Sequence, residues 1–186
     1  MHLNDLLIRE KTAITKRWFK LTIDTYPADT AKFLKSQKDP FANPVGRTIF
    51  RGLEALFDEL VKDMNVANIT AYLDPIVRIR AVQNFSPAQA VGFIFFLKRA
   101  VRESIGKEIS QQPYINELRV FETKIDDLSL IAFNLYMQCK EKLYELKANE
   151  MKDRTFKAFE RAGLVSELPA DDTPHLDPIN YITKEA

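Results

Sequence analysis

The sequence predicts an all-α protein, and three observations support this fold class. Only five of the 186 residues are glycine, and the nine prolines cluster at a few points along the chain. Few glycines, with prolines grouped at breaks, are typical of helices with definite ends. Between these breaks apolar residues recur in steps of three and four, which is the spacing of one face of a helix.

Length, charge and cysteine usage limit the class of protein. A chain of 186 residues is long enough for one domain with a sizeable core. A net charge of +1 argues against a nucleic-acid partner held by a basic face. The single cysteine, Cys139, suits a reducing compartment. The N-terminus carries charges where a signal peptide needs an apolar core, and the longest apolar run, residues 90–97, is too short for a membrane span. We expect a cytoplasmic protein.

Three asparagines mark predicted helix starts in the first half of the chain. Asn4 is the predicted N-cap of a first helix that ends at Tyr26-Pro27, since the residue before proline is pushed out of the α region. A short helix is predicted over residues 28–34. Asn43, with Pro44 at the first helical position, begins the next helix. Asn68 is the predicted N-cap of a helix that turns four residues inward: Leu73, Ile76, Ile79 and Val82.

The segment from Ser86 contains the clearest helix start in the chain. Ser86 is a good N-cap, Pro87 fits the first helical position, and Gln89 stands where a capping box requires glutamine. The predicted helix is apolar nearly all round through Leu97, as in the middle of a fold. Basic residues follow and are predicted to lie at its C-terminal end, where cations are favourable: Lys98, Arg99 and Arg102.

The longest periodic segment follows and contains no glycine or proline over residues 114–162. It predicts either one very long helix or two helices joined by a kink. Its apolar stripe steps by three and four residues, a pattern typical of a helix that packs on another long helix: Leu118, Phe121, Ile125, Leu128, Ala132, Leu135, Cys139, Leu143 and Leu146. Gly163 is a natural helix stop. Residues 1–165 are therefore the predicted domain, and residues 166–186, rich in Pro and Asp, are a predicted extended or disordered tail.

Histidine is absent between His2 and His175. Haem of the globin type, catalytic zinc and a Ser-His or Cys-His nucleophile all need an imidazole. A haem held by cysteine or tyrosine stays as an alternative, but Cys139 on an apolar stripe is better explained as a buried thiol. No Glu-x-x-His pair or phosphate-binding glycine loop is present either. We therefore expect no cofactor, no metal site and no enzymatic activity.

Two sets of residues are candidate sites. Arg78, Arg80 and Gln83 are candidate contacts for an anion or a protein partner. The two arginines cannot share one face of a helix, so one should be exposed while the other reaches a carboxylate or a buried carbonyl. The alternative is that both are surface arginines without a binding role, whose aliphatic side-chain atoms pack against the protein. Four aromatic residues either fill the core or line an apolar ligand pocket: Trp18, Phe93, Phe96 and Phe121.

Three segments of the chain resemble the N-terminal sensor domain of the RsbR/RsbRD group of RsbT co-antagonist proteins. They are RIRAVQ and FSPAQAVGF with the LK pair within residues 78–98, PFANPVG over residues 40–46, and YELKANEMK over residues 144–152. The resemblance covers about residues 6–163. Its motif residues in this chain are Asn43, Pro44, Gly46, Ser86, Pro87 and Gln89.

The resemblance implies a globin-like helical bundle without haem, which acts as the input module of a bacterial stress-signalling assembly and is often dimeric. It implies a protein signalling partner. The family's STAS output domain has no room after Gly163, so we expect a stand-alone sensor or adaptor. A homodimer through the first and last long helices is our first hypothesis. The alternative is a carrier of an apolar, lipid-like small molecule, and an enzyme ranks last.

Overall fold

The computed structural model describes residues 2–36, 39, 41–83, 85–109 and 112–164. These ranges contain no strand, and their helices in chain order are α1 (Leu3–Arg9), α2 (Lys11–Ile23), α3 (Ala28–Ser36), α4 (Pro44–Val61), α5 (Val66–Val82), α6 (Pro87–Gly92), α7 (Phe96–Ile109) and α8 (Gln112–Arg161). The all-α prediction and the long C-terminal helix are confirmed. The predicted tail of residues 166–186 lies outside the described residues, and so does the domain boundary at residue 165.

The chain divides into two compact units, of which the first ends at Leu143 and the second begins at Tyr144. In the first unit, α2 packs against α4 and α7, and α4 packs against α5. Gly52 allows the last of these contacts, because a Cβ atom there would lie 2.7 Å from Ile76 Cδ1 and 3.1 Å from the Tyr72 carbonyl oxygen. The buried core includes large side chains from three helices and from the turn after α6: Trp18, Phe57, Ile76 and Phe93.

The first part of α8 closes this core. Its predicted apolar stripe is buried at five positions: Phe121, Ile125, Leu128, Ala132 and Leu135. Lys124 Nζ donates to the carbonyl oxygens of Leu60 at 3.0 Å and Lys62 at 2.6 Å. The stripe therefore faces the core of its own chain over these residues. Of the two predicted alternatives, the structure has one helix of 50 residues.

In the second unit, α8 ends in the turn predicted at Gly163. This glycine has a φ of 67°, which favours glycine. Its N–H donates to the Glu160 carbonyl at 3.1 Å, and the N–H of Leu164 donates to the Phe159 carbonyl at 3.0 Å. These two bonds are the Schellman pattern that closes a helix C-terminus.

Two of the predicted N-caps are confirmed, and two are wrong. The Asn43 side chain accepts from the Gly46 N–H at 2.8 Å, and Ser86 and Gln89 form the predicted capping box. Asn68, however, is not the cap of α5. Asn65, three residues earlier, accepts from the Asn68 N–H at 3.1 Å, because a cap residue bonds to the N–H three positions further on.

The start and continuity of the first predicted helix also differ from the prediction. Helix α1 begins at Leu3, so Asn4 lies inside it and His2 precedes it. The Asp5 carboxylate accepts from the His2 N–H at 2.9 Å and satisfies this end of the helix. The chain then breaks at Glu10, whose φ of −96° and ψ of 8° separate α1 from α2.

The inward face of α5 is rotated from the prediction. Leu73 and Ile76 are buried as predicted, but Val82 is 65% exposed. Val77 and Arg80 take the inward positions instead. Arg80 is thus buried in the core, although the apolar pattern predicted that its neighbours Ile79 and Val82 would face inward.

The helix predicted from Pro87 through Leu97 is interrupted. Helix α6 ends at Gly92, and three-residue turns follow, in which the Ile94 N–H donates to the Val91 carbonyl and the Phe96 N–H to the Phe93 carbonyl. Lys98, Arg99 and Arg102 therefore lie in the first half of α7 and not at a helix C-terminus. Carboxylates hold all three cations: Asp126, Glu103 and Glu122.

Candidate functional site

Arg80 is the most unusual residue of the first unit, because its side chain is completely buried. Helix α5 places it on the inward face beside Ile76 and Val77. Its Nη2 atom donates to Thr25 Oγ1 and to the Gln89 carbonyl oxygen, both at 2.9 Å. One of these two acceptors is a backbone carbonyl, that of the exposed residue Gln89, and the hydrogen bond is partly buried.

Three aromatic rings surround the Arg80 guanidinium. Its Cζ atom lies 4.2 Å from the ring centroid of Phe85 and 5.3 Å from those of Tyr26 and Phe93. Tyr26 and Phe85 also contact each other edge to face at 5.1 Å. Aromatic faces attract a cation and offset part of its lost hydration.

The guanidinium still lacks the partners that a buried cation needs. Arg80 Nε and Nη1 are buried without a hydrogen bond of regular geometry among the described residues, and the buried Tyr26 hydroxyl is the polar group that interacts with the guanidinium there. No carboxylate of the described ranges lies within ion-pair distance of Arg80. Burial lowers the pKa of Arg80, an effect that Tyr26 opposes, and burial raises the pKa of Tyr26. Arginine stays protonated even so, which leaves one buried positive charge without a counter-ion in this part of the structure.

A pocket of about 560 Å³ lies beside this cluster, and Arg80 itself does not line it. Its lining includes both groups that accept from Arg80, namely Thr25 and Gln89, and two of the three surrounding aromatic residues, Tyr26 and Phe85. Gln83 also lines it, and none of its lining residues is charged. The pocket and the buried guanidinium therefore share one set of neighbours.

The three predicted partner or anion contacts do not form one site. Arg78 is exposed, and its Nε atom donates to Asp74 Oδ2 at 2.7 Å one helical turn away. Arg80 points into the core, as expected for residues two apart on a helix. Gln83 ends α5 at the surface and lines the pocket. Gln83 and Arg80 thus both lie near Thr25 and Gln89, whereas Arg78 pairs with Asp74 elsewhere on the surface.

The four aromatic residues of the predicted apolar pocket take different positions. Trp18 and Phe93 are buried together, with the indole Nε1 donating to the Phe93 carbonyl at 2.7 Å. Phe96 is half-buried against the core. Phe121 packs edge-on against Phe57 and lines a pocket of about 300 Å³ beside His2 and Lys124. An apolar ligand site formed by these four side chains stays a prediction.

The remaining motif residues have structural positions. Asn43 caps α4 and also donates to the Leu34 carbonyl at 2.9 Å, and Ser86 caps α6.

Cys139 is half-buried, and burial raises the pKa of its thiol. Within the described ranges, no group of histidine, cysteine and carboxylate side chains is arranged to hold a metal ion. Nor is any helix there long and apolar enough to cross a membrane.

Sequence reasoning found Arg80 but not its surroundings. Thr25 lies 55 positions earlier in the chain, and nothing in its own segment distinguishes it. The sequence did contain an indication that Arg80 is buried, because Arg80 lies on the same face of α5 as Leu73, Ile76 and Val77. A lone arginine in the apolar phase of a helix marks a buried cation.

The model of one family, described as the RsbT co-antagonist protein rsbRD N-terminal domain, matches residues 12–151. The match covers about three quarters of the chain, including the Arg80 cluster. The chain therefore belongs to this family, whose members are regulatory domains of stress signalling. No curated protein and no solved structure matches it. The globin-like arrangement stays a prediction.

Proposed function

We propose that this chain is a non-enzymatic input module of bacterial stress signalling that acts as a homodimer and binds a protein partner. The family match supports the signalling role. Because the family is described by its relation to RsbT, we take a protein of the RsbT type as the partner. A change in helix packing within the module would alter the exposed helix surface that the partner binds.

The observation that carries the dimer is the surface of α8 in the second unit. Every described residue from Tyr144 to Leu164 is exposed. Large apolar side chains are among them, with Tyr144 at 63%, Met151 at 70% and Phe159 at 50% exposure. Exposed apolar surface of this extent is typical of an interaction site.

Tyr144 and Met151 lie in a stripe with helical spacing, and Phe159 lies next to it. The 144–162 stripe steps by four and three residues through Tyr144, Ala148, Met151, Thr155, Ala158 and Ala162. This is the spacing of a coiled-coil seam, and the small alanines allow a second helix to approach closely. A second copy of the same helix is the simplest partner with a matching pattern.

The proposed dimer surface differs from the one expected from sequence. The stripe between Leu118 and Leu135 is largely occupied by the core of its own chain, so it is not free for a second copy. In the first unit, α8 instead exposes a different set of apolar side chains: Leu130, Phe133 and Met137.

Sedimentation equilibrium of the full chain from about 1 to 500 µM tests the dimer. We expect a dimer for the unmodified protein and at least a roughly tenfold weaker association for Met151→Glu, because a charge in an apolar seam must be desolvated. Asn149→Glu is the matched control, since it adds the same charge on the same exposed helix outside the stripe. A monomer at the highest concentration, or equal effects of both variants, contradicts the proposal.

Titration calorimetry with a purified RsbT-type protein tests the partner separately. Binding that survives in a monomeric Met151→Glu chain would assign the partner surface to another part of the molecule. Absence of binding to the unmodified chain would contradict the proposed partner class while leaving the dimer intact.

A further inference from the structure

We propose that a basic pocket formed by α2, α3 and α4 binds a nucleoside polyphosphate. The pocket has a volume of about 490 Å³, which is within the usual range of small-molecule sites. It lies in the first unit, and the proposal does not depend on the dimer or on the protein partner. Two observations support it: cations that line the pocket without an acidic partner, and an apolar wall that contains two phenylalanine rings.

The first observation is the charge of the pocket. Four cations line it: Lys16, Lys35, Arg47 and Arg51. The one carboxylate that lines it, that of Asp39, accepts from the Phe41 N–H at 2.9 Å. Lys35 pairs with Asp24, but the other three cations form no ion pair among the described residues. These three side chains are exposed and line the pocket themselves, so a ligand there meets them directly.

The cations also lie where they repel one another. Arg47 and Arg51 are four residues apart on the exposed face of α4, and like charges at this spacing destabilise a helix. Lys16 on α2 lines the same pocket. At the start of α2 the charges facing α4 are instead complementary, with Lys11 Nζ 2.6 Å from Asp58 Oδ1. The local excess of positive charge around the pocket therefore favours a ligand with several negative charges.

The second observation concerns the apolar wall and selects the rest of the ligand. Phe19 and Phe50 line the pocket and contact each other edge to face, with 5.3 Å between their ring centroids. Both rings are half-buried, so part of each is open to the pocket, and Leu34 adds further apolar surface. Flat nucleobases pack well against aromatic side chains. A nucleoside polyphosphate combines such a ring with a chain of negative charges and matches both parts of the pocket.

Titration calorimetry of the full chain with ATP and GTP, at low and constant ionic strength, tests the proposal. Adenosine, AMP and inorganic tripolyphosphate are the comparison ligands. We expect saturable binding of one or both triphosphates, and at least about tenfold weaker binding of AMP, which has fewer charges, and of tripolyphosphate, which has no ring. No saturable binding of either triphosphate up to about 5 mM overturns the proposal. Equal affinity for tripolyphosphate or for adenosine overturns the choice of a nucleoside polyphosphate.

A pair of charge variants locates the site. The double variant Arg47→Gln, Arg51→Gln should weaken triphosphate binding about tenfold or more, because it removes two of the unpaired cations of the pocket. Both positions are exposed, so circular dichroism should show an unchanged fold. The matched control is Arg119→Gln, Lys152→Gln, which removes the same charge from exposed positions of α8 that do not line the pocket. Equal weakening by the two double variants, or unchanged binding by the first, overturns the site.

Phe50→Leu tests the aromatic wall separately. Leucine keeps an apolar side chain at this half-buried position but removes the ring. We expect about threefold or greater weakening of triphosphate binding with no change for tripolyphosphate, since only the nucleotide contacts the ring. Unchanged binding of the triphosphate, or equal losses for both ligands, overturns the contact between the ring and a nucleobase.

Discussion

The indole Nε1 of Trp18 donates a hydrogen bond of 2.7 Å to the backbone carbonyl oxygen of Phe93, and both residues are completely buried. Phe93 lies in the turns that separate α6 from α7, where regular helical hydrogen bonding is interrupted. The Phe93 carbonyl accepts locally from the Phe96 N–H at 3.3 Å, and a carbonyl oxygen can accept a second hydrogen bond. Trp18 on α2 is the second donor and holds the interruption between α6 and α7 against the core.

Replacement of Trp18 tests this bond. Trp18→Phe keeps an aromatic ring but removes the donor and leaves a small cavity, so we expect a loss of about 2–4 kcal/mol in the free energy of unfolding. Urea unfolding followed by circular dichroism measures it, because the substitution removes the only tryptophan. Phe19→Leu, on the same helix and half-buried, is the control and should cost about 1 kcal/mol. Equal losses for the two variants would show that the bond contributes little.

Two asparagine caps of different burial provide a second, internally matched prediction. Asn43 is buried, accepts from the Gly46 N–H and donates to the Leu34 carbonyl, whereas exposed Asn65 accepts from the Asn68 N–H. We expect Asn43→Ala to cost about 2–3 kcal/mol and Asn65→Ala about 1 kcal/mol, since only the first leaves a buried carbonyl without its donor. Thermal and urea unfolding of both variants checks the order. The reverse order would contradict it.

These examples show which features were predictable from the sequence. The caps at Asn43 and Ser86 depend on residues three positions away, so local pattern sufficed. The interruption before α7 receives a hydrogen bond from Trp18, 75 positions earlier, which local pattern does not predict. The inward position of Arg80 follows from its helical register, but its acceptor Thr25, 55 positions earlier, is not revealed by local spacing. Both features involve contacts between residues that are far apart in the sequence.

Gly52 provides a prediction about helix packing. A methyl group there would approach Ile76 Cδ1 to 2.7 Å and the Tyr72 carbonyl to 3.1 Å, so Gly52→Ala requires the Ile76 side chain to move and the α4–α5 contact to adjust by a few tenths of an ångström. Alanine normally stabilises a helix interior by about 1 kcal/mol relative to glycine. We expect a net loss of about 1–3 kcal/mol instead, because the crowding outweighs this gain. Gly106→Ala, where a Cβ would meet no atom within 4 Å, is the control and should be neutral or stabilising in urea unfolding. A stabilising effect at position 52 would show that the two helices separate easily.

Glu103 connects α2 and α7 and predicts an acid-sensitive contact. Its carboxylate accepts from Arg99 Nε at 2.7 Å and also from Arg17 Nε. The hydrogen bond from Arg99, followed by that from Arg17, holds the pKa of Glu103 below its ordinary value of 4.5. Because the pKa is lower in the folded protein, the contact stabilises it fully above the unfolded pKa. The contribution is lost as the pH falls through the folded value.

Glu103→Gln should therefore lower stability near neutral pH and flatten the dependence of the unfolding midpoint on pH below about 4.5. Urea unfolding at several pH values between about 7 and 3 measures both effects. Glu141→Gln is the control, because no ion pair of the Glu141 carboxylate is found among the described residues. Added salt should reduce the Glu103 effect, since the contact is largely exposed and screened. If Glu103→Gln retained the full acid dependence of the unmodified chain, the bridge between α2 and α7 would not contribute to stability in solution.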